Sequence, residues 1–392
     1  MATLVLQRGK EQRILAGHPW IYTGEVKKIR GELADGGVAR VLDHAGRHLG
    51  MALVNRQSKI VGRLYTRGHE VFDRDFLAAR LREAAEFRRR FLGLGPETGV
   101  RWVFSEGDRL PGLVVDQYGG VVVLQLLTLP MDVRRELLLE LLGELFDPEA
   151  VVERSDVGSR RYEGLEPVKQ VLAGSMPETV VIEEGGARYL VDVLEGQKTG
   201  FFLDQRENRG LVRRYAKGRR VLDAFCYTGG FAVAAAVAGA SEVTGLDSSE
   251  EAVVRARENA SLNGVDQRCT FEVENVFDRL RSLEKEGKKY DLVVLDPPAF
   301  AKNKAAVAGA FRGYKEINLR ALKLLDPGGL LLTCSCSQHM TETLFERMLL
   351  EAARDTRREV RLLHRTTQAG DHPIVLGMPE SQYLTCFWLQ VL

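Results

Sequence analysis

The sequence predicts an α/β protein in which a parallel β-sheet with helices on both faces follows two smaller domains. Strand and helix patterns alternate through the C-terminal half of the 392-residue chain, which is typical of parallel strands joined by helical crossovers. Residues 1–68 read instead as short strands between glycine turns, and residues 69–177 mix helices with strands. We therefore predict three domains: a small β-barrel at 1–68, an α+β domain at 69–177 and the parallel-sheet domain at 178–392.

The elements of the two N-terminal domains follow from the spacing of apolar residues. In the first domain, the pattern marks strands at 38–42 and 50–54. In the second, apolar residues at helical spacing mark a helix at 72–92 that stops at Gly93. Strands at 112–116 and 121–127, a helix at 131–146 and a strand at 150–154 follow. Residues 158–177 read as a loop, and we predict that they form a linker.

The third domain begins with a hairpin, 180–184 and 187–193, that turns at two glycines. Strands are then predicted at 220–223, 243–247, 269–274, 290–296 and 329–333. The helices between them are predicted at 230–238, 250–263, 277–283 and 314–325. Strands at 360–364 and 385–392 fit an antiparallel end of the sheet. Ligands of such sheets bind beyond the carboxyl ends of the strands, near the point where the strand order reverses.

Composition limits the classes of protein and of partner. No apolar stretch approaches the roughly 18 residues needed to span a bilayer, and the N-terminus lacks the apolar block of a signal peptide. Five scattered cysteines without C-x-x-C spacing indicate a reducing cytosol and no metal site. The overall net charge is +1, yet residues 1–70 hold twelve Lys and Arg against six Asp and Glu. This basic segment indicates an anionic partner such as RNA, although a solvated Arg-rich surface would look the same.

The strongest motif is the turn VLDAFCYTGGF at residues 221–231, between a predicted strand and a helix. It lacks the G-x-G-x-x-G pattern that lets a backbone approach a pyrophosphate, so it predicts an adenosine cofactor without phosphates. The carboxylate of Asp223 can accept from an ammonium group, and N–H groups at Thr228–Gly230 can hold a carboxylate. The predicted cofactor-binding residues of this segment are Asp223, Phe225, Cys226, Tyr227, Thr228, Gly229 and Gly230.

Polar residues also end the next two predicted strands. Asp247, with Ser248 after it, stands 24 residues beyond Asp223 and is suited to bind both hydroxyls of a ribose. Asn275 can pair with an adenine edge while Val276 packs on the ring. Each polar residue taken singly is more typical of a helix cap, but three consecutive strand ends favour the cofactor interpretation.

Two further strand ends carry the groups that would react. Asp296, predicted as both a catalytic and a cofactor-binding residue, is followed by two prolines in LDPPAF, which stiffen the backbone that holds it beside the cofactor. The apolar run of the fifth strand leads into Cys334-Ser335-Cys336-Ser337. Both thiols can face the same way because they stand two residues apart, and Cys336 lies further out at the strand end. We predict Cys336 as a nucleophile, and Cys334, like Cys226, as a packing residue.

With these motifs, the chain resembles class I S-adenosylmethionine-dependent methyltransferases. It is most similar to the 23S rRNA cytosine-5 methyltransferases that place a PUA domain and a small α+β domain before the catalytic domain. The resemblance rests on VLDAFCYTGGF, LDPPAF, TCSCS and GQKTGFFLDQRENR (196–209), with HPWIY (18–22) as its weaker N-terminal part. It implies a Rossmann-like catalytic domain, S-adenosylmethionine as the cofactor, and cofactor contacts from Asp204, Gln205 and Arg206. One departure is Asn275, where many relatives have Asp.

The two reactive groups indicate which atom is methylated. Carbon 5 of a pyrimidine becomes nucleophilic only after a thiolate adds at carbon 6, whereas methylation of an amino group needs no thiol. Cys336 as nucleophile and Asp296 beside it therefore favour 5-methylcytosine formation. Two alternatives remain open: methylation of a purine nitrogen with structural cysteines, or a non-catalytic RNA-binding factor.

The partner that the resemblance implies is 23S rRNA or the large ribosomal subunit, met in the cytoplasm and not at a membrane. PUA-like modules of related proteins bind RNA, and the basic segment at 1–70 agrees with this. A second basic stretch after the two prolines would rim the active site and contact phosphates, unless it is only a solvated loop. The predicted strands at 360–364 and 385–392 could form the surface of a homodimer, and the sequence leaves this question open. The residues of the second basic stretch are Lys302, Lys304, Arg312 and Lys315.

Overall fold

The protein is described by a computed structural model covering residues 2–301 and 303–392. Two compact units share the chain. The first comprises the residues up to Ile182 together with Val191–Leu203 and Gly370–Ser381, and the second comprises Glu183–Leu190, Asp204–Ala369 and Gln382–Leu392. Three segments of the predicted third domain (178–182, 191–203 and 370–381) thus belong to the first unit, and the three-domain division stays a prediction.

The first unit contains two antiparallel-rich sheets. Its strands are β1 (Ala2–Leu6), β2 (Trp20–Tyr22), β3 (Val26–Arg30), β4 (Val38–Leu42), β5 (His48–Val54), β6 (Ile60–Thr66), β7 (Val100–Phe104), β8 (Leu113–Tyr118), β9 (Val121–Leu126), β10 (Ala150–Ser155) and β11 (Val168–Gly174). Its helices are α1 (Glu11–Leu15), α2 (Arg74–Leu92), α3 (Leu129–Asp132) and α4 (Arg135–Phe146). One sheet has the order β2-β6-β5-β4-β1-β3 and the other β11-β10-β9-β8-β7.

The ends of α2 show why the sequence predicts it well. The side chain of Asp73 accepts from the N–H of Phe76 at the first turn, and Gly93 ends the helix with a left-handed φ of 62°. The predicted linker at 158–177 is wrong, because β11 lies within it and pairs antiparallel with β10. This edge strand is mostly exposed, so it lacks the buried apolar alternation by which a strand is recognised.

The second unit is built on a seven-stranded sheet. The boundary between the units in the chain falls within β12 (Val181–Glu184). The other elements of this unit are β13 (Ala187–Leu190), α5 (Arg206–Ala216), β14 (Arg220–Ala224), α6 (Gly230–Val237), β15 (Glu242–Asp247), α7 (Glu250–Leu262), β16 (Cys269–Val273), α8 (Val276–Lys285), β17 (Tyr290–Leu295), α9 (Val307–Leu324), β18 (Leu325–Ser335), α10 (Glu342–Thr356), β19 (Val360–Thr366) and β20 (Thr385–Val391). The sheet order is β16-β15-β14-β17-β18-β20-β19. Strands β14 to β18 are parallel, and β20 is antiparallel to both of its neighbours.

The alternation predicted for this region is confirmed, with two differences. Helix α9 begins at Val307, seven residues before the predicted start, and Gly309 and Gly313 within it weaken the helical pattern. Helices α5 and α10 are additional. One apolar core joins the sheet to α8, α9 and α10. In the part of the chain that the structure describes, every helix is too short or too polar to cross a bilayer.

Candidate active site

The predicted reactive residues meet at one edge of the sheet in the second unit. The parallel strands β14 to β18 all end there, and the strand order reverses between the neighbours β14 and β17. Asp223 lies in β14, Asp247 ends β15, Asp296 follows β17 and Cys336 follows β18. The edge therefore has the geometry at which open α/β sheets bind ligands.

The turn between β14 and α6 has a strained backbone. Phe225, Tyr227 and Gly229 have φ values of 68°, 48° and 78°, and a left-handed conformation costs a residue with a side chain about 1 kcal/mol or more. A Cβ on Gly229 would lie 3.1 Å from the Cβ of Ala256, so the turn also packs closely on α7. Strain of this kind is typical of functional turns that their surroundings hold in place.

Two residues that the sequence analysis missed hold the carbonyl groups of this turn. Asn259, fully buried on α7, donates to the carbonyl of Thr228 (2.9 Å) and accepts from the N–H of Leu190 (2.8 Å). The Tyr189 hydroxyl donates to the carbonyl of Gly230 (3.1 Å). The β12–β13 hairpin thereby supports the turn. The only signal in the sequence is an asparagine on the apolar face of α7, next to Ala256 and Ala260.

Asp223 has the environment expected of a carboxylate that binds a cation. It is fully buried, and its Oδ2 accepts from the N–H of Ala232 (2.9 Å), whereas its buried Oδ1 has no hydrogen-bond partner. Burial, with smaller contributions from the charges of Asp296 and Asp247, raises the pKa of Asp223 to about 8. A buried carboxylate with an unsatisfied oxygen favours a cationic partner, and the ammonium group of S-adenosylmethionine fits this requirement.

The amide groups at the start of α6 are partly engaged. The N–H of Gly229 donates to the carbonyl of Cys226 (2.8 Å), which leaves the N–H groups of Thr228 and Gly230 as the predicted donors to a cofactor carboxylate. Cys226 itself is 5% exposed. Burial raises the pKa of its thiol well above the usual value, so it packs as a neutral side chain.

Asp247 is oriented by the backbone around it. Its Oδ2 accepts from the N–H of Tyr227 (2.8 Å), and its Oδ1 accepts from the N–H of Ser249 (2.9 Å). Each carboxylate oxygen keeps a second lone pair, which is what two ribose hydroxyls require. Ser248 is exposed, and the following Ser249 caps α7 through the N–H of Ala252.

The third strand end combines a helix cap with an aromatic group. The Asn275 side-chain oxygen accepts from the N–H of Asp278 (3.3 Å), so this residue caps α8. Its NH₂ group can still donate to a ligand. Val276 is 3% exposed and packs in the core. Phe277, two residues after Asn275, packs with Phe225 and Phe300, and the three ring centroids are 5.8 to 6.5 Å apart.

The three residues implied by resemblance stand at the start of α5. Asp204 is 2% exposed, and its Oδ2 accepts from the Tyr383 hydroxyl (2.7 Å). Gln205 accepts from the Asn208 side chain (2.7 Å). The Arg206 guanidinium lies 3.2 Å from Glu184. All three are held by residues of the same unit, and their contact with a cofactor stays a prediction.

Cys336 lies one residue beyond β18 and is half-buried. Its Sγ is 4.0 Å from the carbonyl oxygen of Pro297, which follows Asp296. Because β17 and β18 are parallel neighbours, residues 335–337 at the end of β18 lie next to residues 296–301, which follow β17. These two segments are called the thiol turn and the Pro-Pro loop. A thiol and a carboxyl group thus stand on neighbouring loops, an arrangement that covalent catalysis by a thiol would use.

Cys334 is more deeply buried than Cys336. It is fully buried inside β18, directly opposite Cys386 on β20. Burial and the neighbouring Cys386 raise the pKa of the Cys334 thiol well above its usual value, which disfavours the thiolate that attacks substrates. The prediction that Cys334 is a packing residue is confirmed.

Fewer residues of the second basic stretch are available for phosphate contacts than predicted. Lys304 and Arg312 are exposed, and Lys302 lies outside the described residues. Lys315 was wrongly included, because its ammonium lies 2.8 Å from Asp355 and 3.2 Å from Glu351. Two carboxylates already neutralise this charge, so it is a poor phosphate contact.

Comparison with known proteins agrees with this geometry. The family model "S-adenosylmethionine-dependent methyltransferase" matches residues 108–377, and a "PUA-like domain" model matches residues 4–67. The chain is 44% identical to "Ribosomal RNA large subunit methyltransferase I" of Shewanella amazonensis, covering 97% of this chain and 96% of that protein. It is 42% identical to the protein of the same name from Aeromonas hydrophila, covering 98% of each.

A solved structure shows the same fold. It is that of SMU.776, a methyltransferase-like protein complexed with SAH, with a TM-score of 0.86, 24% identity and full coverage of both chains. The family match spans more than half of the chain and includes the strand ends described above. The chain is therefore a member of the S-adenosylmethionine-dependent methyltransferase family that carries an N-terminal PUA-like domain.

Proposed function

We propose that the protein methylates carbon 5 of a cytosine in large-subunit ribosomal RNA through a covalent adduct with Cys336. The substrate class is supported by the relatives named above, which share 42–44% identity over nearly the whole chain. The choice of atom is supported by one observation above all. A half-buried thiol stands beyond β18, against the loop that carries Asp296.

The chemistry assigns a distinct step to each group. The bound cofactor supplies an electrophilic methyl group. The Cys336 thiolate adds to carbon 6 of the cytosine, and the electron pair that moves toward carbon 5 makes that carbon nucleophilic. Asp296 in its protonated form would hydrogen-bond ring nitrogen 3 and assist this addition. After carbon 5 has taken the methyl group, a base removes its proton and the electron pair expels the thiolate.

The product nucleoside tests this function. Protein, tritiated S-adenosylmethionine and ribosomal RNA are incubated, and the labelled nucleoside is identified after digestion. The proposal predicts 5-methylcytidine. A labelled purine would favour methyl transfer to a ring or exocyclic nitrogen, and the absence of label would favour a non-catalytic binding factor.

Asn259 should matter for cofactor affinity. Asn259→Ala removes the bond to the Thr228 carbonyl and loosens the strained turn, so we expect S-adenosylmethionine to bind about tenfold more weakly, as measured by titration calorimetry. Asn263→Ala is a matched control, because Asn263 bonds to the backbone of Arg188 in the same hairpin but not to the turn. Equal affinities for both variants would contradict a special role of Asn259.

RNA binding should depend on the exposed edge strand β3. Lys27, Lys28 and Arg30 are all exposed there. Replacing the three with alanine should weaken RNA binding and reduce the slope of log affinity against log salt by about 2. The control replaces Lys217, Lys285 and Lys288, which are exposed in the second unit and precede β14 or β17 in the chain. A similar slope change in both triple variants would argue against RNA contact at β3.

A further inference from the structure

Tyr314 links the residues on both sides of the nucleophile. It lies on α9 and is fully buried among apolar neighbours such as Ile317. The Ser335 hydroxyl donates to the Tyr314 hydroxyl (3.0 Å), and the hydroxyls of Tyr314 and Ser337 are 3.0 Å apart. Ser335 and Ser337 flank Cys336, so a single phenol group bridges both ends of the thiol turn.

The same group reaches the loop that carries Asp296. The N–H of Ala301, at the end of this loop, donates to the Ser337 hydroxyl (3.1 Å). The ring of Phe300 packs against the ring of Tyr314 with centroids 4.6 Å apart. Tyr314 therefore connects the two segments: its hydroxyl bonds to the thiol turn, and its ring packs against the Pro-Pro loop.

The phenol remains a neutral donor in this setting. Burial raises the pKa of Tyr314 above its usual value, the hydrogen bonds with Ser335 and Ser337 oppose this, and negative charge on Cys336 raises it further. A tyrosine so placed stays protonated. The hydroxyl bridge is thus compatible with the thiolate that the proposed function requires.

We propose that Tyr314 is a positioning residue that clamps the thiol turn to the Pro-Pro loop and so fixes the Cys336 sulfur beside Asp296. It acts through Ser335 and Ser337 and does not contact the substrate. The inference rests on the proposed function for its catalytic consequence. Its structural part, the immobilisation of the thiol, concerns the ligand-free protein alone.

Tyr314→Phe is the test variant because it keeps the ring and removes only the hydroxyl. We expect kcat to fall by about 10- to 100-fold, since small displacements of reacting groups have effects of this size. The KM for RNA and the affinity for S-adenosylmethionine should stay within about twofold. Iodoacetamide should alkylate Cys336 of the free protein at least about threefold faster, because the released turn exposes the thiol.

Two further variants separate positioning from general stability. Ser337→Ala removes the partner of the same bond, so the loss of kcat in the double variant with Tyr314→Phe should be smaller than the product of the two single losses. The single variant Ser337→Ala also tests the bridge on its own if Tyr314→Phe fails to fold. The control is Tyr290→Phe, since Tyr290 is a buried tyrosine at the amino end of β17, the end opposite to Asp296. It should leave kcat unchanged.

The outcomes distinguish this inference from the proposed function. Wild-type kcat and wild-type alkylation in Tyr314→Phe would overturn the positioning role, as would losses that multiply in the double variant. If Cys336→Ala in the same assay retains turnover, the thiol mechanism is wrong and the catalytic part of the inference falls with it. The alkylation rate then still decides whether Tyr314 immobilises the thiol.

Discussion

Replacing Cys336 with alanine is expected to lower kcat by about 10³-fold or more. Carbon 5 of cytosine does not attack a methyl group until a nucleophile has added at carbon 6, and Cys336 is the thiol that stands against the Asp296 loop. The affinity for S-adenosylmethionine should change by less than about threefold, because Cys336 is not among the predicted cofactor ligands. Single-turnover methylation and calorimetric titration measure the two quantities.

Cys334→Ala is the matched control for this experiment. It removes a thiol two residues away that is fully buried in β18, at a cost of about 1–2 kcal/mol in the free energy of unfolding. Turnover per folded molecule should stay within about threefold of the wild type. Substantial turnover by Cys336→Ala, or a larger loss in Cys334→Ala, would contradict the assignment of the nucleophile.

Replacing Asp223 with asparagine is expected to weaken S-adenosylmethionine binding by about 3 kcal/mol, or roughly a hundredfold. The Asp223 Oδ1 is buried and lacks a hydrogen-bond partner, which suits it to the cofactor's ammonium group. Asparagine keeps the shape and the bond to the N–H of Ala232 but cannot provide the charge.

The raised pKa of Asp223 gives this prediction a pH dependence. Because the pKa rises from 3.8 to about 8 on folding, the ligand-free folded protein holds a proton that the unfolded chain releases. Its free energy of unfolding therefore falls as the pH rises from about 4 towards 8. An ammonium partner favours the ionised carboxylate, so binding should release a proton and become tighter between pH 6 and 8.

Calorimetry in buffers of different ionisation enthalpy measures the released proton. In Asp223→Asn, both the proton release and the pH dependence of affinity between pH 6 and 8 should disappear. The control is Asp291→Asn, whose carboxylate pairs with Arg220 at the amino edge of the sheet. An affinity that is independent of pH in the wild type would contradict the role given to Asp223.

The sequence was informative wherever a residue's position along a strand determined its place. Asp223, Asp247, Asp296 and Cys336 each stand at or near the end of an apolar run, and parallel strands bring such ends to one edge. Cys336 was predicted as the nucleophile because it lies further out than Cys334, and the structure places Cys334 inside β18 and Cys336 beyond it. In a regular parallel sheet, the position of each residue along its strand therefore predicts which residues meet at the candidate site.

Contacts between side chains distant in the chain could not be predicted. Asn259 reaches Thr228 and Leu190 from a helix whose pattern shows only that the residue is buried. The bridge from Tyr314 to Ser335 likewise depends on how α9 packs on β18. The ion pair of Lys315 with Asp355 was missed because α10, which carries the acid, was not predicted. Packing between elements, rather than spacing within them, determines these contacts.

The most direct measurement of the central proposal is a search for the covalent adduct. RNA carrying 5-fluorocytidine has no removable proton at carbon 5, so methylation should leave the RNA attached to the enzyme. After digestion, mass spectrometry should find the methylated fluoronucleotide on the peptide containing Cys336, and Cys336→Ala should give no adduct. Efficient formation of 5-methylcytidine from normal RNA with no adduct, or an adduct on another residue, would contradict the account.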